Sequence, residues 1–280
     1  MSAAGFITIT RPANAVMAGI AAIVAYLIAT GTLVPAVIIP LIVVTLITAA
    51  GNVINDYYDA EIDAVNRADR PIPAGLVSRQ AAYRYAVVLF AAGIIASLFT
   101  NIFCIGFAIV NSALLVLYAA RLKSMPLVGN VAVAYLAGSM FLFGGAFAGV
   151  YGLLHLVPIA VMTFLAMMAR ELLKDAEDIE GDAAGGASTL PIRIGVRKTA
   201  YCAFVFALLS AVASLVPFWW WGIPYLAMIG IVDLVLLGAS LKALHCESPS
   251  CIRASGVSAV LKYGMFASLV VFTLSARFLG

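Results

Sequence analysis

Charge is scarce in this chain. Lys, Arg, Asp and Glu make up 10% of its 280 residues, against about 25% in a soluble domain, while hydrophobic residues reach 64%. A water-facing surface cannot be built from that supply, and disorder, which needs low hydrophobicity, is excluded by the same figures. Histidine is limited to His155 and His245. Cysteine is limited to Cys104, Cys202, Cys246 and Cys251, with no CxxC pair and no companion histidine cluster, so the four thiols read as reduced or buried. The net charge of +3 is small and gives no sign of nucleic acid, and no nucleic-acid partner is expected.

What is present is long apolar runs. Nine can be drawn, at 13–31, 34–55, 80–100, 102–120, 127–150, 154–175, 198–217, 223–244 and 256–278. Lipid offers no hydrogen-bond partners to an open sheet edge, so all nine read as helices. The expected fold is an all-α polytopic membrane protein, one domain over 1–280 with nine transmembrane helices and polar loops near 56–79 and 176–197. Arg11 before the first run has the look of a signal peptide, but the run is long and a second follows within a few residues, so it is read as a span. Fifteen of the 16 basic residues fall before span one, in alternate connections or in the span ends that adjoin them, leaving Arg277 opposite. The positive-inside rule then places the N-terminus in the cytoplasm, the C-terminus outside and the polar loops on the cytoplasmic face of the cell membrane.

Eleven of the 13 acidic residues occupy two short windows on that face. Asp56-x2-Asp59-x3-Asp63 has the same spacing as Asp175-x2-Asp178-x3-Asp182. One turn earlier stand Asn52 and Glu171, each four residues ahead. At about 100° per residue, each set of four falls within roughly 60° on a continuous helix. Asn55 lies beside the first stripe and Lys174 holds the equivalent place in the second, while Glu61, Glu177 and Glu180 point largely away. Like charges at i,i+3 and i,i+4 repel, so something cationic should compensate them. Oxygen ligands without histidine or cysteine suit Mg²⁺, which takes one or two carboxylates and fills its shell with water and phosphate oxygens. Two stripes suggest two Mg²⁺ ions facing a shared polyanion. Arg67, Arg70, Lys123, Arg170 and Lys174 stand near them, where they would meet phosphate charge. Arg79, Arg84, Arg197, Lys198 and Lys262, at the starts of spans, read as topology anchors.

The wording of these windows carries a resemblance. Asn55-Asp56-Tyr57-Tyr58-Asp59-Ala60-Glu61-Ile62-Asp63, with Asn66-Arg67 and Arg70-Pro71-Ile72-Pro73-Ala74-Gly75 after it, resembles the first motif of the UbiA-type intramembrane prenyltransferases. Arg170-Glu171-Leu172-Leu173-Lys174-Asp175-Ala176-Glu177-Asp178-Ile179-Glu180-Gly181-Asp182, followed by Thr189-Leu190-Pro191-Ile192, resembles the second. Tyr118 to Pro126, which contains Leu122-Lys123, is similar to a short motif between spans four and five. Arg11-Pro12-Ala13-Asn14-Ala15-Val16-Met17-Ala18-Gly19 and the run from Lys174 to Asp182 look most like the archaeal members that join geranylgeranyl diphosphate to geranylgeranylglyceryl phosphate, making the second ether bond of archaeal lipids.

That resemblance implies Asn55, Asp59, Asp63, Asp178 and Asp182 as ligands of two Mg²⁺ ions on a prenyl diphosphate. The stripes add Asn52, Asp56, Glu171 and Asp175, some through water. Lys123 and Arg67 are candidates for phosphate contact and Tyr118 for the allylic centre. Arg11 and Asn14 would meet the phosphate of the lipid acceptor, with Arg70, Arg170 and Lys174 as further substrate contacts. Two alternatives stay open: transfer to an aromatic acceptor such as 4-hydroxybenzoate, and a divalent-cation transporter, although transporter sites lie near the bilayer midplane. Asp233 stands alone in span eight, where burial requires it to be neutral or hydrogen-bonded. Gly138, Gly144, Gly145 and Gly149 in span five read as close helix packing or as the lining of a lipid chamber.

Overall fold

The computed structural model describes residues 2–279. Among them, nine helices of 18 residues or more stand where the apolar runs predict them. They are α1 (Pro12–Thr30), α2 (Ile38–Asn66), α3 (Arg79–Ser97), α4 (Ile102–Ala120), α5 (Val128–Phe147), α6 (Val157–Glu177), α7 (Val196–Ala213), α8 (Phe218–Ala243) and α9 (Val257–Phe278). No strand is present among the described residues. Eight of the nine are long and apolar enough to cross a membrane. The exception is α6, which carries Arg170, Glu171, Lys174, Asp175 and Glu177 in its last turns.

Local chemistry sets the boundaries. Ser78 caps α3 by accepting the Ala81 N–H, and Asn101 caps α4 by accepting from Phe103 and Cys104. The Asn101 amide also donates to Ala146 O at 2.6 Å, tying the start of α4 to the end of α5. Gly222, at φ +64°, bends α8 after one turn, so its straight part begins where the apolar run predicts a span.

α2 packs along α3, α5 lies between α1 and α6, and α7 runs beside α6. α9 returns to touch α1 and closes the ring. Gly144 explains one close approach: a Cβ there would stand 2.1 Å from Ala22 O on α1. Gly138 likewise faces Ala160 O on α6 at 2.7 Å, so these two glycines serve helix packing. Outward faces carry apolar side chains such as Val88, Ile95, Ile231 and Leu234, all more than half exposed.

The expectation of reduced or buried thiols fails for one pair of the four. Cys104 and Cys202 are free, but Cys246 and Cys251 form a disulfide, with Cα atoms 5.4 Å apart. A short helix, Pro249–Ser255, capped by Ser248, turns the chain back and brings positions five apart together.

Candidate active site

A polar chamber of about 620 Å³ opens between the Asn66 end of α2 and the Glu177 end of α6. Fourteen of the residues singled out in the sequence line it, with Asn14, Asp56 and Arg170 the exceptions.

α2 runs unbroken through Asn66, so the first stripe is the single helix face that its spacing predicts. Each of its polar side chains has a partner. Asn52 Nδ2 donates to Thr10 O at 2.8 Å, tying α2 to the segment before α1. Asn55 Nδ2 donates to Asp59 Oδ2 at 2.8 Å, and Lys123 pairs with the other oxygen of Asp59. Arg70 bonds Asp63 at 2.7 Å and Asp56 at 3.1 Å. Asp56, 3% exposed, also takes Arg11 at 2.5 Å and does not itself line the chamber. Its place on the stripe is spent on the two arginines. Arg11 holds φ +49°, an uncommon backbone for a residue with a Cβ, and Pro12 starts α1 directly after it.

The second stripe is not one straight helix. α6 ends at Glu177, Asp178 adopts φ −101° and ψ 9°, and a short helix, Ile179–Ala184, follows. The Asp182 N–H still reaches Asp178 O at 2.9 Å, so the break turns the chain without scattering the acids. Glu171, Asp175, Asp178 and Asp182 all face the chamber, and so does Glu180, which the helical projection had placed outside. Asp175, Asp178 and Asp182 form no ion pair among the described residues, unlike the acids of α2. Burial first, and then the charge of Asp178, push the Asp182 carboxyl above its usual range. The Asp175 carboxylate accepts from Asn130 Nδ2 at 2.8 Å. Asn130 was missed in the sequence; a lone amide in the first turn of apolar α5 was the available signal.

On the cationic side, Arg67 and Lys174 face the chamber without an ion pair among the described residues, and Tyr118 lines it too. Lys123 owes its place to a close approach: a Cβ on Gly129 would stand 2.8 Å from Leu122 O and 3.1 Å from Lys123 Cα. Arg253 reaches in as well, donating to Glu177 O at 2.7 Å. Among the described residues, no three acidic, histidine or cysteine side chains sit close enough to hold a metal by themselves. The side chains that could ligate one are Asp, Glu and Asn, without His or Cys, and such oxygen donors fit a hard cation that takes one or two carboxylates and completes its shell with ligand oxygens.

Asn14 and Arg170 line a second cavity, about 240 Å³ and mostly apolar, walled by α1, α5, α6, α8 and α9. Lys262, read from sequence as an anchor, lines it too. Asp233 lies deeper, accepting from Ser214 Oγ at 2.6 Å, which meets the expectation of a hydrogen-bonded acid. His155 stacks on Trp220 at 3.9 Å, apart from both cavities.

Residues 18–270 match the UbiA prenyltransferase family. The chain is 63% identical to the digeranylgeranylglyceryl phosphate synthase of Methanoregula boonei over the full length of both. A solved structure of a digeranylgeranylglyceryl phosphate synthase superposes with a TM-score of 0.84 at 34% identity, covering 98% of each chain. A UbiA homologue from Archaeoglobus fulgidus, solved with GPP and Mg²⁺, superposes at 0.62 with 15% identity, covering 94% of this chain and 99% of that one. An all-helical bundle with two acidic motifs converging on one chamber, matched over nearly its whole length, places the chain in the UbiA prenyltransferase family.

Proposed function

We propose that this integral membrane protein transfers a geranylgeranyl group from geranylgeranyl diphosphate to geranylgeranylglyceryl phosphate, forming the second ether bond of archaeal membrane lipids. The observation that carries it is the convergence on one chamber of two acidic motifs with Arg67 and Lys174, which form no ion pair among the described residues, in a chain 63% identical to a synthase of that name. Single-signed clusters would bind a simple anion or a simple cation. Both signs together suit a metal-bound diphosphate.

Asn55, Asp59 and Asp63 on α2, with Asp178 and Asp182 beyond α6, would hold two Mg²⁺ ions, with Asn52, Glu171 and Asp175 beside them. Bound there, Mg²⁺ would neutralise and stabilise the departing diphosphate. Arg67 and Lys174 bind phosphate oxygens, and Lys123 moves from Asp59 onto the leaving group as the donor enters. Tyr118 lines the chamber, where its ring would face the developing allylic cation. The acceptor hydroxyl oxygen forms its bond to C1 as the C1–O bond to diphosphate breaks, and diphosphate and a proton are released. Holding the two substrates in register supplies much of the acceleration. Arg70 and Arg11 support the first motif by clamping Asp56 and Asp63 rather than by touching substrate.

The same reading makes α6 a ninth span, with its charged end in the chamber mouth. It sets the N-terminus and the chamber on the cytoplasmic side and the C-terminus outside, in keeping with the distribution of basic residues. The chain acts as one domain over 1–280.

The test is purified protein with Mg²⁺ and labelled geranylgeranyl diphosphate, offered geranylgeranylglyceryl phosphate and 4-hydroxybenzoate in competition. Label in the diether phosphate supports the assignment. Label in the aromatic product alone would overturn it.

A further inference from the structure

The second cavity has an amphipathic lining. Its walls are apolar side chains such as Met17, Met162 and Phe272, while Arg170, Lys262 and Asn14 stand at one end. All three sit at the end of the bundle that holds the polar chamber: Asn14 in the first turn of α1, Lys262 in the second turn of α9, Arg170 two turns before the end of α6. Lys262 forms no ion pair among the described residues. Arg170 spends one nitrogen on Glu171, while its Nε is buried without a hydrogen-bond partner. A buried guanidinium N–H is costly to leave without an acceptor, so this one favours binding of an oxygen-bearing ligand. Asp233, the one acid in the cavity lining, lies ten residues from the Ala243 end of α8 and is bonded to Ser214, so it does not neutralise that end.

Two cations and an amide at the mouth of an apolar slot match a lipid whose head is an anion. The diphosphate of the donor belongs to the other chamber, where the acidic motifs are. On the reading of the function given above, we propose that Lys262 and Arg170, with the Asn14 side chain, hold the phosphate of the glyceryl acceptor here, its prenyl chain lying along the apolar wall. The acceptor thus has an anion subsite of its own, separated from the donor chamber by the Arg170–Glu171 pair.

Lys262 is exposed, so Lys262→Gln should fold. The measurement is binding of labelled geranylgeranylglyceryl phosphate to the intact protein without donor or Mg²⁺, with KM values for both substrates alongside. Loss of one charge-assisted contact should weaken binding by about tenfold or more. The acceptor KM should rise in parallel while the donor KM stays, and the preference for the phosphorylated acceptor over unphosphorylated geranylgeranylglycerol should fall by about the same factor. Lys262→Arg should recover most of the loss. Unchanged binding in Lys262→Gln, as for an anchor touching bilayer headgroups, would overturn the subsite while leaving the function intact, and so would a rise in the donor KM instead. Wild-type protein that neither binds nor uses the phosphorylated acceptor would overturn the function and the subsite together.

Discussion

Arg170 and Glu171 are adjacent in sequence and joined by an ion pair, yet they line different cavities. Successive residues on a helix point about 100° apart, so the pair straddles the wall between the polar chamber and the apolar one. A change to either partner is felt on both sides. Glu171→Gln should raise the KM of donor and acceptor together, each by about fivefold, a modest coupling energy between sites. Steady-state kinetics with each substrate varied in turn checks this; a change confined to the donor would show that the wall does not couple the sites.

Gly129 fixes Lys123 by leaving no room for a methyl group against the backbone at Leu122 and Lys123. Gly129→Ala must shift that backbone and with it the ammonium group. Transfer should fall by about tenfold or more, because small displacements of a positioned group are costly. Gly106, where an added Cβ would meet nothing within 4 Å, is the control: Gly106→Ala should fold and work as the parent does. Equal activity in both variants would remove Lys123 from the account.

Arg70 stabilises the fold as well as the site. It bonds Asp56 and Asp63, and both carboxylates are buried. Arg70→Ala leaves Asp63 without its cation and Asp56 with Arg11 alone. A loss of about 2 kcal/mol is expected, short of the ~3–5 kcal/mol for a fully orphaned buried charge because Arg11 remains. Thermal unfolding in detergent measures it; an unchanged Tm would mean that water satisfies both acids.

The orientation has its own check. Single cysteines at Asp69 and at Tyr151, in a background without the native four, should react from opposite sides with a membrane-impermeant maleimide. Asp69→Cys should label only when the cytoplasmic face is open, and Tyr151→Cys, at an 87% exposed position, from outside intact cells. The reverse pattern would invert the topology.

Periodic features were legible in the sequence. Spans of about 20 apolar residues gave the helices, and the first stripe stood on one face because α2 continues past its apolar part without a breaker. Pairwise features were not. Spacing gives Asp56 the same standing as Asp59 and Asp63, yet Arg11 and Arg70 remove it from the chamber. The second stripe repeats the spacing of the first, but the helix stops at Glu177 and restarts after Asp178. Arg170 shares a motif with Glu171 and turns into another cavity, and Lys262, which looks like any interfacial lysine, meets it there. The Cys246–Cys251 bond depends on a short capped turn that the apolar periodicity does not reveal. Each of these rests on partners distant in sequence or on a local break in helix geometry, and neither is written in composition or period.

The central claim is that both acidic motifs act on one diphosphate. Asp59→Ala and Asp178→Ala, one from each motif, test it most directly when transfer from labelled geranylgeranyl diphosphate to geranylgeranylglyceryl phosphate is measured with Mg²⁺ on protein shown to be folded by circular dichroism. Each should fall by about a hundredfold or more, the scale of losing one main electrostatic contact to a transition state. Substantial transfer by both variants would contradict the two-motif site.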